Sequence, residues 1–137
     1  MAKGASISGF PEWLPSERVV EQRVIDTLRK VFELNGFIGI ETRAVETGAS
    51  LLKKGETSKE IYLLSRLQEV GHESDTPIEE RLGLHFDLTV PLSRYVVEHS
   101  GALAFPFKRW QIQKVWRGER PQEGRFREFV QADIDVI

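Results

Sequence analysis

The residues best suited to chemistry lie near the C-terminus, in residues 107–137, where basic, acidic and aromatic side chains alternate with apolar ones. Arg117 and Glu119 lie two positions apart, so they share a face if this stretch is a strand. Arg125 and Arg127 follow after a short loop. Guanidinium groups bind phosphate and carboxylate oxygens through paired N–H donors. The stretch is therefore a candidate binding site for an anionic ligand.

Two runs with strand-like alternation flank that loop, residues 118–124, which is rich in charge, Gly and Pro. In the second run the apolar face comprises Val130, Ala132, Ile134 and Val136, and the polar face comprises Phe129, Gln131, Asp133 and Asp135. The first run sets Trp110, Ile112 and Trp116 opposite Gln111, Gln113 and Arg117. The pattern predicts a hairpin with one dry face and one face of functional groups. A solvated sheet surface is the alternative, but the ring of Phe129 among polar residues favours a stacked ligand.

The segment WRGERPQEGRFREF resembles motif 2 of the class II aminoacyl-tRNA synthetases. That motif has an aromatic-Arg-x-Glu, a variable loop, and then Arg-x-x-x-Phe. Here the first part is Trp116-Arg117-Gly118-Glu119, and the second runs from Arg125 to Phe129. Within the class, the loop together with Gln131 resembles the histidyl-tRNA synthetase family most closely.

A second informative stretch, Leu84 to Thr89, precedes the hairpin and overlaps the segment FDLTVPLSRY. The alternation of Leu84 to Thr89 sends His85, Asp87 and Thr89 to one side of an extended chain. Pro91 then sits in the first turn of a predicted helix, which Thr89 can cap. The segment resembles the part of histidyl-tRNA synthetases in which an acid and a hydroxyl hold the amino group of histidine. The resemblance assigns this role to Asp87 and Thr89, and it assigns none to His85.

The N-terminal half predicts a helix and a strand. Apolar residues recur at helical spacing after Ser16, the candidate N-cap, and Asn35-Gly36 is a stop signal. A strand is expected over residues 37–45. Together these elements resemble motif 1 of the class II synthetases, which builds a homodimer interface. We further expect a short helix or turn at residues 47–54, a strand near 61–64, and a loop over 65–80, with Lys53, Lys54 and Lys59 on a solvated surface.

The resemblance implies a histidine–tRNA ligase. Histidine and ATP, the latter with Mg²⁺, give histidyl-adenylate and pyrophosphate, and the histidyl group then moves to tRNA(His). The implied catalytic residue is Arg117, which would lie between the amino-acid carboxylate and the α-phosphate. The implied ATP contacts are Arg117, Glu119, Arg125 and Phe129. The implied histidine contacts are Asp87, Thr89, Arg117, Gln131 and Asp135.

Composition is consistent with a folded domain but is not specific. The chain has 137 residues, of which 40% are hydrophobic, and a formal net charge of −2, so it is not a basic nucleic-acid clamp. It has no Cys, and His72, His85 and His99 lack metal-ligand spacing, so we expect no protein-bound metal. No run resembles a signal peptide or a membrane span, so we expect a cytoplasmic protein without membrane partners.

The expected fold is α+β, an antiparallel sheet flanked by helices, forming part of one class II catalytic domain. Motif 1 is expected at about residues 16–45, the histidine-binding segment at about 84–95, and motif 2 at about 107–137. Motif 3 and an anticodon-binding domain are expected to be absent. Two alternatives stay open: a regulatory subunit of ATP phosphoribosyltransferase, which resembles the same catalytic domain, and an inactive folding fragment.

Overall fold

The structure, a computed structural model, describes residues 4–55, 59–71 and 75–137. Those residues form three α-helices: α1 (Pro15–Leu34), α2 (Gly48–Leu52) and α3 (Thr89–His99). They also form five strands: β1 (Ile38–Gly39), β2 (Val45–Thr47), β3 (Leu82–Leu84), β4 (Lys108–Trp116) and β5 (Glu128–Val136). The expected loop over residues 65–80 contains two short 3-10 helices, Leu67–Glu69 and Ile78–Glu80, and its His72 lies outside the described residues.

The main sheet confirms the predicted hairpin and the α+β class. Its strand order is β1-β4-β5, with β1 parallel to β4 and β4 antiparallel to β5. The register places Gln113 opposite Gln131 and Arg109 opposite Asp135. Because opposite residues share a face, the polar side chains of both strands lie on one side of the sheet.

The two faces of the hairpin are buried differently from the prediction of one dry, apolar face. Ile134 and Val136 on the apolar face are 45% and 60% exposed, whereas Arg109 and Gln111 on the polar face are fully buried. The polar face is covered because the chain at residues 42 and 85–88 crosses it. One such contact is the hydrogen bond from the Gln111 Nε2 amide to Thr42 Oγ1 at 2.9 Å.

Helix α1 is confirmed, but Ser16 is not its N-cap. The helix begins at Pro15, whose fixed φ suits the first helical position, and the preceding Leu14 N–H donates to Glu17 Oε2 at 3.0 Å. Ile25, Leu28 and Phe32 are half-buried against the body of the chain. The neighbouring stripe of Val20, Val24 and Val31 is exposed. The helix therefore keeps an apolar surface available for contact.

The strand expected at residues 37–45 is in fact split between two sheets. β1 joins the main sheet, whereas β2 pairs antiparallel with β3 in a second sheet. The strand expected near residues 61–64 appears only as a bridge between Leu63 and Gly83 at the edge of β3. Helix α2 follows β2 directly, capped by the Thr47 hydroxyl, which accepts from Ser50 N–H at 3.3 Å. This second sheet supports the segment that leads into α3.

Helix α3 begins at Thr89, but Thr89 does not cap it. The Val90 N–H donates to Asp87 Oδ1 at 3.2 Å, so Asp87 supplies the capping carboxylate. An aspartate accepts this bond as well as threonine does, and its charge also complements the helix dipole. Among the described residues, no helix has the length and apolar character that a membrane crossing requires.

Candidate active site

Arg117 lies at the end of β4 and is held on three sides. Its Nε donates to the Phe86 carbonyl oxygen at 3.0 Å, and its Nη2 donates to Gln131 Oε1 at 3.2 Å. The guanidinium carbon lies 5.1 Å from the centre of the Phe129 ring, within cation–π range. These contacts use two of the five N–H groups of a guanidinium and leave the others for ligand oxygens. Arg117 is therefore a preorganised cation.

A cavity of about 290 Å³ opens beside this cation. It is lined by Arg117, Glu119, Gly124, Arg125, Phe126 and Phe129. All four residues expected to contact ATP thus border one space. The cavity joins two guanidinium groups, one carboxylate and an aromatic face, which suits a ligand that has both phosphates and a flat base.

Glu60 comes from outside the hairpin and lies beside the residues that border the cavity. Its backbone oxygen accepts from Gly118 N–H at 2.8 Å. Burial raises the pKa of its carboxyl, and the nearby Glu119 carboxylate raises it further, although Arg117 and Arg125 act in the opposite direction. Nothing in the local sequence around Glu60 predicts this contact, because it depends on the long-range fold.

Gln131 extends the site along β5. Its oxygen accepts from Arg117, while its Nε2 donates to Asp133 Oδ2 at 2.9 Å. Farther along the same face, Asp135 Oδ2 pairs with Arg109 Nη2 at 2.6 Å. Gln131 and Asp135 thus share the strand face that was expected to read an imidazole ring. The site is a continuous polar strip that leads away from the cavity beside Arg117.

The sequence pattern was not used to assign Arg109 to this strip, but the structure places it there. Its side chain is fully buried, its Nη1 donates to Gln111 Oε1 at 3.1 Å, and its Nε has no partner among the described atoms. Burial lowers the pKa of this guanidinium, against the opposing effect of Asp135, Asp133 and Asp87. Alternation alone places Arg109 on the face of Gln111 and Arg117, so the sequence did contain the signal.

Asp87 lies beside the strip, in the segment that joins β3 to α3. Its side chain is 5% exposed and forms an ion pair with Lys54 Nζ. The Lys54 ammonium also lies 5.9 Å from the centre of the Phe86 ring. Lys54 is exposed, as expected for a solvated surface, and it also provides the counter-charge of a buried carboxylate.

Thr89 is the one expected histidine contact that the structure does not bring into this strip. It is exposed and borders a different cavity of about 500 Å³, which Lys53, Lys54 and Arg94 also line. Lys54 borders this cavity and also contacts Asp87, so the two regions are neighbours. Thr89 thus lies next to the proposed amino-acid position but faces another space in this structure.

His85 was given no role, yet it fixes the segment that carries Asp87. Its Nε2 lies 2.7 Å from the Lys114 carbonyl oxygen, and its ring stacks on Trp116 with centroids 5.7 Å apart. Burial lowers the pKa of the imidazole, so the neutral ring that donates to Lys114 is favoured. His85 therefore ties the segment before α3 to strand β4.

A larger cavity, about 510 Å³, lies on the other side of the sheet, between the N-terminal segment, α1 and the apolar face. Four of its charged side chains form two ion pairs, Lys114 with Glu128 at 3.0 Å and Arg18 with Glu21 at 3.1 Å. In the smaller cavity Arg125 pairs with Glu119 at 3.7 Å, but Arg117 pairs with no carboxylate among the described residues, so its charge is available to a ligand. The smaller cavity is therefore the better candidate for a charged ligand.

Comparison with protein-family models found no match. The chain is 93% identical over 137 residues to a histidine–tRNA ligase of Bifidobacterium animalis subsp. lactis, covering all of this chain and 29% of that protein. The crystal structure of histidyl-tRNA synthetase from Nostoc sp. PCC 7120 matches with a TM-score of 0.79 and 45% identity, over 98% of this chain and 28% of that one. A structure from Bacillus halodurans described as an ATP phosphoribosyltransferase regulatory subunit/histidyl-tRNA synthetase matches 97% of this chain and 32% of its own, with a TM-score of 0.77. Its 20% identity supports the fold alone.

Proposed function

We propose, from the premise that this chain has the sequence and fold of a class II histidine–tRNA ligase segment, that it carries the ATP and histidine sites of that activity. The chain spans about 29% of the ligase it matches at 93% identity. The proposed reaction joins histidine to ATP, forming histidyl-adenylate and pyrophosphate, and then transfers the histidyl group to tRNA. The observation that carries the proposal is the position of Arg117, which borders the nucleotide cavity and also hydrogen-bonds the amino-acid strip at Gln131.

Arg117 is proposed as the catalytic residue. When the histidine carboxylate attacks the α-phosphate, two anions must approach, and they repel each other. A fixed guanidinium between them offsets the repulsion and stabilises the charge that spreads over the phosphate oxygens in the in-line transition state. The bonds from Arg117 to Phe86 and Gln131 hold this cation in place before the ligands arrive.

The residues that line the cavity are proposed to bind different parts of ATP. Phe129 offers a ring on which adenine can stack, and Glu119 offers a carboxylate that can accept from the adenine amino group. Arg125 lies at the exposed side of the cavity, where the γ-phosphate would be. Mg²⁺ is proposed to enter as its complex with ATP, because it is commonly bound through substrate phosphates.

Histidine is proposed to bind along the polar strip. A neutral imidazole has one donor and one acceptor, so the Gln131 amide and the Asp135 carboxylate can together satisfy both ring nitrogens. An amino acid whose side chain lacks these groups would leave the polar atoms of Gln131 and Asp135 without partners, so the site would bind it more weakly than histidine. Asp87 and Thr89 are proposed to hold the α-ammonium group, and Arg117 the carboxylate.

The partners and the extents of the motifs are proposals of the same kind. Motif 1 would comprise α1 and the chain through β2, the histidine-binding segment would comprise β3 and the start of α3, and motif 2 would comprise β4, the loop and β5. The exposed apolar stripe of Val20, Val24 and Val31 supports a homodimer formed through α1. tRNA(His) is proposed as the acceptor in the complete ligase.

The test is histidine-dependent exchange of pyrophosphate into ATP. The assay uses a hybrid ligase, in which this chain replaces the aligned segment of the bifidobacterial relative. We expect exchange with histidine but not with glutamine or phenylalanine, because neither side chain supplies the paired ring nitrogens. Exchange that is equal for all three amino acids, or absent from a hybrid that folds normally, would contradict the proposal.

A further inference from the structure

Both oxygens of the Asp87 carboxylate already have a partner in the absence of a ligand. Its Oδ1 accepts the Val90 N–H at 3.2 Å, which caps α3. Its Oδ2 pairs with the ammonium group of Lys54. An incoming ammonium group must therefore compete with Lys54 at Oδ2 or with the helix cap at Oδ1.

The position of Lys54 matches that of an amino acid's ammonium group. Phe86 connects the two groups that such a ligand would need, because it precedes Asp87 and its carbonyl oxygen accepts from Arg117 Nε at 3.0 Å. The ammonium and carboxylate groups of an amino acid are attached to one carbon, so they need a carboxylate and a guanidinium close together. Lys54 presents the same chemical group, an alkylammonium, to the same carboxylate.

The Asp87 carboxylate has little room for two ammonium groups, because its side chain is only 5% exposed. A second ammonium beside Lys54 would meet like-charge repulsion. Lys54 itself is 49% exposed in its side chain, so its ammonium can return to water at little desolvation cost.

We propose that Lys54 occupies the α-ammonium position of the amino-acid site in the ligand-free chain, and that histidine binds by displacing it. The inference rests on the proposed function, and it adds a competing cation that belongs to the protein. Lys54 thereby lowers the affinity for histidine and keeps the buried carboxylate of Asp87 paired while the site is empty.

The experiment is an NMR chemical-shift titration of the full 137-residue chain. The ligands are L-histidine, histidinol, which keeps the ammonium but lacks the carboxylate, and imidazolepropionate, which lacks the ammonium. The variants are Lys54→Met and the control Lys53→Met, since Lys53 forms no ion pair within residues 4–55, 59–71 and 75–137. Asp87→Asn removes the carboxylate charge.

We expect Lys54→Met to lower the Kd of histidine and histidinol by about fivefold, the factor that corresponds to a partly exposed ion pair. The Kd of imidazolepropionate should not change, and Lys53→Met should behave as the unsubstituted chain does. Asp87→Asn should weaken histidine binding and leave imidazolepropionate binding unaffected.

Failure of the inference and failure of the proposed function give different results. If histidine binds and Asp87→Asn weakens it, but Lys54→Met leaves histidine binding unchanged or weaker, the proposed function stands and the displacement is wrong. If neither histidine nor imidazolepropionate shifts any resonance, the proposed histidine site is wrong, and so is the proposed displacement of Lys54. Equal tightening for all three ligands would also overturn the inference, because the ammonium would then play no part.

Discussion

Replacing Arg117 should slow amino-acid activation more than it weakens the binding of either substrate. The guanidinium is held by the Phe86 carbonyl at 3.0 Å and by Gln131 at 3.2 Å, so its position is set before ATP binds. Loss of one preorganised donor to a developing anion costs about 3–4 kcal/mol in the barrier. We therefore expect Arg117→Ala to reduce kcat/KM for pyrophosphate exchange by roughly 10²- to 10³-fold in the hybrid ligase.

Arg117→Lys gives a second, graded measurement. An ammonium group lacks the fork that reaches Phe86 and Gln131 while still facing the ligand, although it keeps the charge. We expect Arg117→Lys to recover part of the loss, leaving a reduction of about 10- to 100-fold. The control is Arg120→Ala, because Arg120 is a neighbouring exposed arginine that does not line the cavity.

The assay is initial-rate pyrophosphate exchange at saturating and at limiting histidine, with thermal unfolding recorded for every variant. Exchange by Arg117→Ala within about threefold of the Arg120→Ala control would remove Arg117 from the mechanism. A drop of the same size in both variants would show that general loss of positive charge, rather than the fixed guanidinium, is responsible.

Four further outcomes are expected. Asp135→Ala should raise the histidine KM by about 5- to 150-fold, equivalent to about 1–3 kcal/mol, as expected for a lost polar partner in the site, with the ATP KM unchanged; an equal change in both would indicate a disrupted strand. Phe129→Ala should raise the ATP KM by a similar factor, about 5- to 150-fold, because stacking worth about 1–3 kcal/mol is lost; the measurement is made at saturating histidine. Val24→Glu on the exposed stripe of α1 should shift the sedimentation of the hybrid from dimer to monomer, whereas Val97→Glu, on exposed α3 surface, should not. The free energy of unfolding should fall as the pH drops below about 6.5. Burial lowers the pKa of His85 in the folded chain, so the unfolded chain binds more protons in this range. His85→Gln should flatten this part of the pH profile.

The parts of the fold that depend on local pattern were predictable. Twenty residues of α1 carry a helical repeat with a Pro start and an Asn-Gly stop, and most residues of β4 and β5 alternate between apolar and polar around a charged loop. The split between β1 and β2 was not predictable, because residues 38–47 have a continuous extended pattern. Their assignment to different sheets depends on pairing with β4 and β3, which lie far away in sequence.

The candidate site divides in the same way. Arg117, Glu119, Arg125 and Phe129 were found together because they flank a single hairpin loop, where sequence distance and spatial distance agree. The contacts of Glu60 with Glu119, and of Lys54 with Asp87, join different elements, so local sequence gave no sign of them. The buried polar face was also misjudged, since alternation shows which residues share a face but not which face the rest of the chain covers.

The most direct test of the account is a crystal structure of the hybrid ligase with a non-hydrolysable analogue of histidyl-adenylate. We expect adenine on the Phe129 ring, the phosphate position within hydrogen-bond distance of Arg117, and the imidazole between Gln131 and Asp135. The α-ammonium group should lie on Asp87, with Lys54 moved away. An analogue bound on the apolar side of the sheet, or with its imidazole away from Gln131 and Asp135, would contradict the account.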